Sequence, residues 1–570
     1  ATTSGGSSPS SATAARKLEF GNNMTNNQAE FHALLAGLEE LLTQVGPGAK
    51  SLRLAIRGDT IAASGDLGQA RGQIEIDARG LAIAPGFINM LSWANESLIA
   101  DGRSQSDIRQ GVTLEVLGEG TSMGPWNEAM KRDRLERQDD ARYPVEWTTL
   151  GEYLDWLVAR GISCNVTSFV GATTVRVHEI GYANRPPTPE ELERMRAHVR
   201  HAMREGAVGV SSSLIYTPAF FAATDELIAL AQASAEHDGL YISHIRNEGD
   251  RLFEALDEFF TIARQAHTRA EIYHLKASGR TNWPKMEEVF RRVEAAQADG
   301  LGITADMYTY HASSTGLDAT MPPWVQEGGH RAWVERLKDP DVRRRVIAEM
   351  SFPVGDWDAG FKSAGSGDNI LVVSFRNPAL RHLTGKTLSE VAKARGKSPE
   401  ETAIDLVIED DSRVGAVFFS MSEDNIRKQI RRPWVSFCSD SGSLSAEGIF
   451  LNRNPHPRAY GSFARLLGRY VRDEKLVPLQ EAVRRLTSFP ADNLRIARRG
   501  RLTPGHFADV VAFDPATIQD HATFDRPHQY ATGVVHVLVN GVPVLQDGEH
   551  TNARPGRFVH GPGRRDNVSS

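Results

Sequence analysis

From Gly80 onward, short apolar runs that end in small, polar or titratable residues alternate with longer stretches of helical periodicity. The apolar runs are APGFINML, VTLEVLGEG, CNVTSFVGAT, AVGVSSSLIY, GLYISHIRN, AEIYHLKASG, GLGITADMYTY and PWVSFCSDSG. Strands that alternate with helices at this spacing predict a parallel sheet, and about eight repeats predict a closed (β/α)8 barrel, here over residues 86–502. Functional side chains are then expected where the strands end.

Two further sequence features within the predicted barrel are a helix-capping motif and a break in the alternation of strands and helices. The sequence Thr188-Pro189-Glu190-Glu191 is a capping box with proline at the first helical position, and it predicts a helix that stops at Gly206. Residues 320–375 break the alternation with a charged helix and a Gly-rich loop. This break predicts an insertion or lid.

Both ends of the predicted barrel are flanked by short β-like segments. SLRLAIRGDTIAASGD and QIEIDARGLAI precede it, and FADVVAFD, VVHVLV and VPVLQDG follow it, with Asn540-Gly541 as a hairpin turn between the last two. The pattern predicts a small β-sandwich domain assembled from residues 51–85 and 503–563, followed by a tail over residues 564–570. The expected fold class is therefore α/β.

The first fifty residues have a different character. Residues 1–16 are rich in Ser, Thr, Gly and Ala and predict a flexible leader. Residues 17–50 predict an amphipathic helix that begins at Asn26 and Asn27 and ends near Gly46. Its apolar face would hold Phe31, Leu34, Leu35, Leu38, Leu41 and Leu42. This helix and the strand after it resemble a short part of ribonuclease H, in which Glu30 and Asp59 would match two metal-binding acids.

Composition narrows the function classes. Hydrophobic residues make up 40% and charged residues 24% of 570 residues, which is typical of globular domains with large cores. A net charge of −7 offers no basic field for nucleic acid, and we expect a small-molecule partner. The two cysteines, Cys164 and Cys438, exclude a cysteine-cluster metal site. No apolar run predicts a membrane span or a secretory signal, so we expect a cytoplasmic protein.

Titratable residues at the ends of the predicted strands form the candidate site. His244 and His274 follow neighbouring strands, and Glu119 ends VTLEVLGEG. Two histidines and one glutamate with an open fourth position form a ligand set that zinc accepts for hydrolysis. Asp440, in FCSDSGS, could act as the general base for the water.

Many ordered segments identify the chain as similar to the N-acyl-D-amino-acid deacylases, or D-aminoacylases, of the amidohydrolase superfamily. The segments are IRGDTIAASGDLG, APGFIN, SDIRQGVTLEV, GVSSSLIY, SHIRNEGDRLFEALDE, YHLKASG, DMYTYHASSTGL, SDSG, HPRAYGSFARLLGRYV, LTSFPADNLRI and HFADVVAFDPATI. The resemblance implies a metal-dependent barrel with a flanking β-sandwich that hydrolyses an N-acyl amide bond. It assigns metal binding to His244 and His274 and catalysis to Asp440.

Four positions depart from the family pattern. The superfamily has His-x-His after PGFI, where this chain has Leu91 and Trp93, which cannot bind a metal. Glu119 stands where the family has a metal-binding cysteine, and Ala172 stands where it usually has a histidine. The retained set resembles the single-metal site of N-acetylglucosamine-6-phosphate deacetylases. We therefore expect one divalent ion, with zinc as the leading candidate.

The resemblance also assigns binding of the substrate carboxylate to Lys276, Tyr308, Ser314 and Arg458. An ammonium and a guanidinium suit an anion, and arginine supplies a two-pronged fork. His456, in the same loop as Arg458, would assist or pack.

The sequence therefore predicts a hydrolase of N-acyl-D-amino acids that uses metal-activated water and Asp440. Two alternatives stay open. Leu91, Trp93 and Ala172 fit a barrel that has lost catalysis and serves as a ligand-binding or scaffold protein. An amidohydrolase that acts on cyclic amides or dipeptides would have the same fold and ligands.

Overall fold

Parallel strands form a barrel at the centre of the computed structural model. The structure describes residues 33–37, 52–65, 67 and 70–564. The barrel strands pair in parallel register within one sheet of three strands and one of six. In chain order they are Phe87–Ser92, Val112–Leu117, Asn165–Ser168, Val170–Gly171, Gly209–Ser213, Leu240–His244, Ala270–Ile272, Ile303–Met307 and Val435–Phe437.

Contacts at two places close these sheets into the predicted eight-stranded barrel. The third strand is interrupted only at Phe169, so its two halves belong to the two sheets and join them. At the other seam, the Asp440 amide donates to the Leu91 carbonyl at 2.9 Å. The Asn89 side chain accepts from the Ser439 amide and donates to its hydroxyl, both at 2.8 Å. The α/β barrel prediction is confirmed.

Helices cover the outside of the barrel. The predicted capping box is confirmed, since the Glu191 amide donates to the Thr188 hydroxyl and the Thr188 amide donates to the Glu191 carboxylate. This helix ends at Gly206, where φ is 117° and only glycine is unstrained. The helices around the barrel are Ala94–Ala100, Gln105–Ile108, Glu128–Arg137, Leu150–Ala159, Ala172–Ile180, Pro189–Glu205, Thr224–Ala235, Leu252–Gln265, Met286–Ala298, Glu423–Ile430, Arg458–Arg465, the π-helical Leu466–Asp473, Leu479–Leu486 and Ser488–Leu494.

Between the last two barrel strands the chain builds a separate unit. Its antiparallel sheet has Gly415–Phe418 in the middle, with Ser313–Gly316 and Ile370–Ser374 on either side. Its own buried cluster includes Leu317 and Trp333. Its helices are His330–Arg336, Pro340–Ser351, Gly360–Ala364, Leu388–Arg395 and Pro399–Asp410. The predicted insertion, 320–375, ends too early, because the central strand of this sheet comes last in the sequence.

A β domain built from both ends of the barrel sequence packs as two sheets. Side chains from both sheets, including Leu54, Ile76, Val510 and Leu538, share one buried cluster. The predicted turn is confirmed, with φ of 49° and 80° at its two residues. In spatial order, one sheet is Thr60–Gly65, Leu52–Arg57, Ala33–Gly37 and Ile74–Ala78, and the other is Glu549–His550, Val542–Gln546, Val534–Val539, Val510–Phe513 and Ala82–Pro85.

The helix predicted over residues 17–50 is wrong where the structure describes that region. Ala33–Gly37 is a strand that pairs antiparallel with Leu52–Arg57 and parallel with Ile74–Ala78. A central strand gains main-chain hydrogen bonds on both sides, and this tertiary gain outweighs helical periodicity. Asp59 forms an ion pair with Arg557 at 2.7 Å. Glu30, the leader over residues 1–16, the rest of that helix and residues 565–570 lie outside the described residues.

Two further expectations concern the whole chain. Within the part that the structure describes, no helix is long and apolar enough to cross a membrane. Cys164 and Cys438 are both buried as free thiols. Burial raises the pKa of each thiol well above its ordinary value, so neither is a reactive thiolate.

A buried polar network joins the barrel to the β domain. The Asp509 carboxylate accepts from the Asn540 amide at 2.9 Å and from the Asn165 side chain at 3.2 Å. Arg499 forms an ion pair with Asp509 and donates to the Asn540 side chain at 3.0 Å. Since Asn165 lies in a barrel strand and Asn540 in the domain hairpin, this network fixes the two units together.

Asp509→Asn is expected to lower the free energy of unfolding by about 3–5 kcal/mol, because it leaves the buried Arg499 charge without its partner. The matched control is Asp547→Asn, whose side chain is 79% exposed and lies 3.8 Å from His536, and it should change little. Chemical denaturation of the full chain measures both. Equal midpoints for the two variants would contradict the role of the network.

Candidate active site

The structure brings the three predicted metal ligands together at the mouth of the barrel. Glu119 follows the strand Val112–Leu117, His244 ends its strand, and His274 follows Ala270–Ile272. One oxygen of Glu119 lies 3.1 Å from Nδ1 of His244 and 3.2 Å from Nε2 of His274. All three residues are at most 4% exposed. Convergence follows from the parallel barrel, in which successive strand ends face one opening.

These three residues fit a divalent metal ion. Their candidate ligand atoms all lie within 4.8 Å of one another. Nδ1 of His244 and Nε2 of His274 face the same oxygen of Glu119, while the other nitrogen of His244, Nε2, lies 3.6 Å from the Glu248 carboxylate. A carboxylate and two imidazoles with an open position form a donor set that zinc prefers.

The charges on Glu119 and on the groups around it also favour a bound cation. Burial raises the pKa of Glu119, but hydrogen bonds from His244 and His274 outweigh it and hold that pKa well below its ordinary value. Burial and the charge of Lys276 lower the pKa of His274, yet Asp440 and hydrogen bonds to nearby carboxylates raise it to about 10. The buried carboxylates around the two imidazoles therefore favour positive charge at this position.

Glu248 is a site residue that the sequence reasoning missed. Its carboxylate accepts from the Lys276 ammonium at 2.8 Å, and that ammonium lies 2.7 Å from Nδ1 of His274. Lys276 is therefore paired inside the protein, and Oε1 of Glu248, 3.3 Å from Nδ1 of His274, orients a candidate metal ligand. The available signal was the position of Glu248 in SHIRNEGD, a loop after a barrel strand.

Asp440 and Arg458 form a buried ion pair, with Nη1 of Arg458 2.6 Å from Oδ2 of Asp440. Burial raises the pKa of Asp440, although Arg458 and His274 oppose the shift. The backbone φ is 48° at Asp440 and 32° at His274, a region that residues other than glycine rarely adopt. Such strain is typical of functional positions that the surrounding structure holds in place.

Trp93, dismissed as a metal ligand, is instead a hydrogen-bond donor at the same centre. Its indole nitrogen lies 3.0 Å from Oε2 of Glu119 and 3.2 Å from Oδ1 of Asp440. One N–H therefore links the carboxylates that follow the second and eighth barrel strands. No local sequence pattern indicates this role, because it depends on where two distant strand ends meet.

The structure places Tyr308 and Ser314 beside Arg458. The Tyr308 ring centroid lies 4.5 Å from the Arg458 guanidinium carbon, and the Tyr308 hydroxyl donates to the sulfur of Met421 at 3.3 Å. Arg458 donates to the Ser314 carbonyl at 3.2 Å, while the Ser314 hydroxyl donates to the carbonyl of Ala416 at 3.0 Å. Tyr308 thus offers its ring to the site, and Ser314 holds the arginine.

His456 packs rather than reaching the metal cluster. Its Nδ1 accepts from the Arg458 amide at 3.0 Å, and its Nε2 lies 3.0 Å from the Ala312 carbonyl oxygen. Burial and the charge of Arg458 lower its pKa well below the ordinary value, so the ring is neutral. It positions the first turn of the helix that carries Arg458.

A cavity of about 1100 Å³ contains all of these side chains. The unit between the last two barrel strands supplies part of the wall, including Asp358 and Arg413. Oδ2 of Asp358 accepts from the Glu248 amide at 2.7 Å, and burial raises the pKa of Asp358 to about 7. This unit therefore covers the barrel mouth and contacts the residues around the metal cluster.

Comparisons with known proteins agree with this geometry. A model of the amidohydrolase family matches residues 75–545. D-aminoacylase of Alcaligenes xylosoxydans xylosoxydans is 32% identical to this chain over 93% of its length and 97% of the relative. This chain belongs to the D-aminoacylase family of amidohydrolases. The predicted resemblance to the D-aminoacylase family is confirmed.

Solved structures of the D-aminoacylase family share the fold. A D-aminoacylase described for its binuclear metal centre, with one-metal activation and second-metal attenuation, superposes with a TM-score of 0.76 at 30% identity. It covers 93% of this chain and 100% of the other. A second structure is that of N-acyl-D-glutamate deacylase of Bordetella bronchiseptica, complexed with zinc and a phosphonate mimic of the tetrahedral intermediate. It superposes with a TM-score of 0.75 at 28% identity and has the same coverage of both chains.

Proposed function

We propose that this chain is a metal-dependent hydrolase that cleaves the N-acyl amide bond of N-acyl-D-amino acids. The observation that carries the proposal is the convergence of Glu119, His244 and His274 with Asp440 and Arg458 in one cavity. The names of the relatives, D-aminoacylase and N-acyl-D-glutamate deacylase, support this substrate class.

Glu119, His244 and His274 would hold one divalent ion, and zinc is our candidate because a family member was crystallised with it. When bound, such an ion acts as a Lewis acid that polarises the acyl carbonyl and makes water acidic enough to attack at neutral pH. The protein contributes orientation. Glu248 fixes the His274 ring through Nδ1, and Trp93 fixes the second oxygen of Glu119.

Asp440 would move the proton in both halves of the reaction. Its carboxylate accepts a proton from the attacking water and then returns it to the departing amine nitrogen. Burial raises the pKa of Asp440, which makes it a stronger base than an exposed aspartate. Its oxygens are engaged by Trp93 and by Arg458, and the carboxylate becomes more basic when one of these contacts loosens.

Arg458 would couple substrate binding to the release of Asp440. The carboxylate of an N-acyl amino acid is an anion that the guanidinium fork binds well. When Arg458 turns part of its donor set to that carboxylate, its hold on Oδ2 of Asp440 weakens. Lys276, Tyr308 and Ser314 would complete this subsite, with Ser314 holding the guanidinium through its carbonyl.

Trp93 would hold the carboxylates of Glu119 and Asp440 close together without a second metal ion. Glu119 and Asp440 are both buried, and like charges in a buried site repel each other. The indole N–H lies within hydrogen-bond distance of both, and it is a neutral donor. A family member has a binuclear centre whose second metal attenuates activity. We propose that this chain uses one ion and the Trp93 donor instead.

A substrate panel tests the proposed function. The zinc-loaded chain is expected to hydrolyse N-acetyl-D-amino acids and to leave the L forms largely intact, measured by release of the free amine. Hydrolysis of cyclic amides or dipeptides alone would instead favour an amidohydrolase that is specific for those substrates. Binding of N-acyl amino acids without turnover would favour a barrel that has lost catalysis.

The roles of Asp440 and His274 differ in their effect on bound metal. Asp440→Asn is expected to lower kcat by about 100-fold to 10,000-fold while tightly bound zinc stays, because it removes only the proton carrier. His274→Ala should lose both zinc and activity. His311→Gln, with a side chain 44% exposed, is the control and should retain both. Activity retained in Asp440→Asn would remove Asp440 from catalysis.

Trp93→Phe keeps the aromatic ring and removes the N–H. A hydrogen bond to a charged group contributes about 1.5–3 kcal/mol, so kcat should fall roughly 10-fold to 100-fold with little change in KM. Trp156→Phe is a matched control, since its indole donates to the exposed carboxylate of Glu146 at 2.7 Å. Unchanged kcat in Trp93→Phe, with zinc retained, would show that the donor has no part in positioning.

A further inference from the structure

Outside the cavity, two neighbouring helices present another pair of imidazoles with a carboxylate. His178 and Glu179 lie in the last turn of Ala172–Ile180, and His198 lies in Pro189–Glu205. Oε1 of Glu179 lies 2.9 Å from Nδ1 of His178 and 3.0 Å from Nε2 of His198. The ring centroids are 4.2 Å apart. The three candidate ligand atoms lie within 4.8 Å of one another, as do those of Glu119, His244 and His274.

The surroundings leave this cluster accessible yet ordered. The side chains of His178, Glu179 and His198 are 20%, 9% and 27% exposed, so water can complete the coordination of an ion. Arg194 donates to the other oxygen of Glu179 at 2.6 Å, which leaves Oε1 for the two rings. The nearby guanidinium charge repels a cation and weakens its binding.

We propose that His178, Glu179 and His198 form a second divalent metal site, of the class that takes zinc through imidazole and carboxylate ligands. This site is more exposed than the cluster of Glu119, His244 and His274, and it lies beside the Arg194 guanidinium. Its affinity for the metal ion is therefore lower. Two of its ligands sit on one helix and the third on the next, and the ion therefore links the helices across the loop formed by residues 181–188.

That loop connects the site to the unit that covers the cavity. The Gly328 amide donates to the Tyr182 carbonyl at 3.3 Å, and the Asn184 amide donates to the Glu327 carboxylate at 3.2 Å. Tyr182 also lines the cavity. An ion between the two helices thus stabilises a loop that holds one side of the covering unit.

Zinc titration of the full chain tests the proposal by stoichiometry, independent of activity. With Zn²⁺ alone as the probe, calorimetry of the chelator-treated protein is expected to show one tight equivalent and a second that is at least tenfold weaker. His198→Gln and, separately, His178→Gln should lose the weaker equivalent and keep the tight one. Zinc should also raise the Tm further in the unaltered chain than in either variant at concentrations that fill the weaker site.

His201→Gln is the matched control, since it lies one turn along the same helix, is 51% exposed and pairs with Glu205 at 3.3 Å. It should keep both equivalents. His274→Ala should lose the tight equivalent and keep the weaker one, which separates this site from the catalytic cluster. A single equivalent in the unaltered chain, or a weaker equivalent that persists in both His178→Gln and His198→Gln, would overturn the proposal and leave an ordinary ion-pair network with Arg194.

Discussion

The active site depends on the burial of carboxylates at the mouth of a barrel. Glu119, Glu248 and Asp440 are each less than 10% exposed, and a buried carboxylate without a partner costs several kcal/mol. Each one is compensated differently: Glu119 by two imidazoles and an indole, Glu248 by Lys276, and Asp440 by Arg458. The cations that compensate Glu248 and Asp440 are also the groups proposed to hold a substrate carboxylate. On that proposal, charge balance and substrate recognition share Lys276 and Arg458.

The first barrel strand has structural roles at the positions where the resemblance leads one to expect the His-x-His motif. Asn89 bonds to Ser439 and closes the barrel, Leu91 is fully buried, and Trp93 donates to two carboxylates. None of these side chains requires a metal ion. The strand still fixes the relative positions of Glu119 and Asp440, because a hydrogen-bond donor can satisfy two acids that would otherwise repel each other.

The unit between the last two barrel strands covers the site and contacts its residues. Ser314 holds Arg458 by its carbonyl, and Asp358 accepts from the amide of Glu248. The cavity beneath it is about 1100 Å³ in volume. Residues on a covering unit can vary without disturbing barrel packing, which is why loops at this end of a barrel set specificity. We therefore expect the choice of acyl group and side chain to depend on this unit.

Local patterns in the sequence determined the eight barrel strands, the capped helix after Thr188, the hairpin turn at Asn540 and the candidate ligands at strand ends. Each of these depends on neighbours within a few residues or on the regular geometry of a barrel. Only the tertiary structure decided that Ala33–Gly37 is a strand, that the covering unit extends to Phe418, and that Trp93, Lys276 and Arg458 pair with buried acids. Those outcomes depend on contacts between residues far apart in the chain, and the free energy of such contacts is absent from any local pattern.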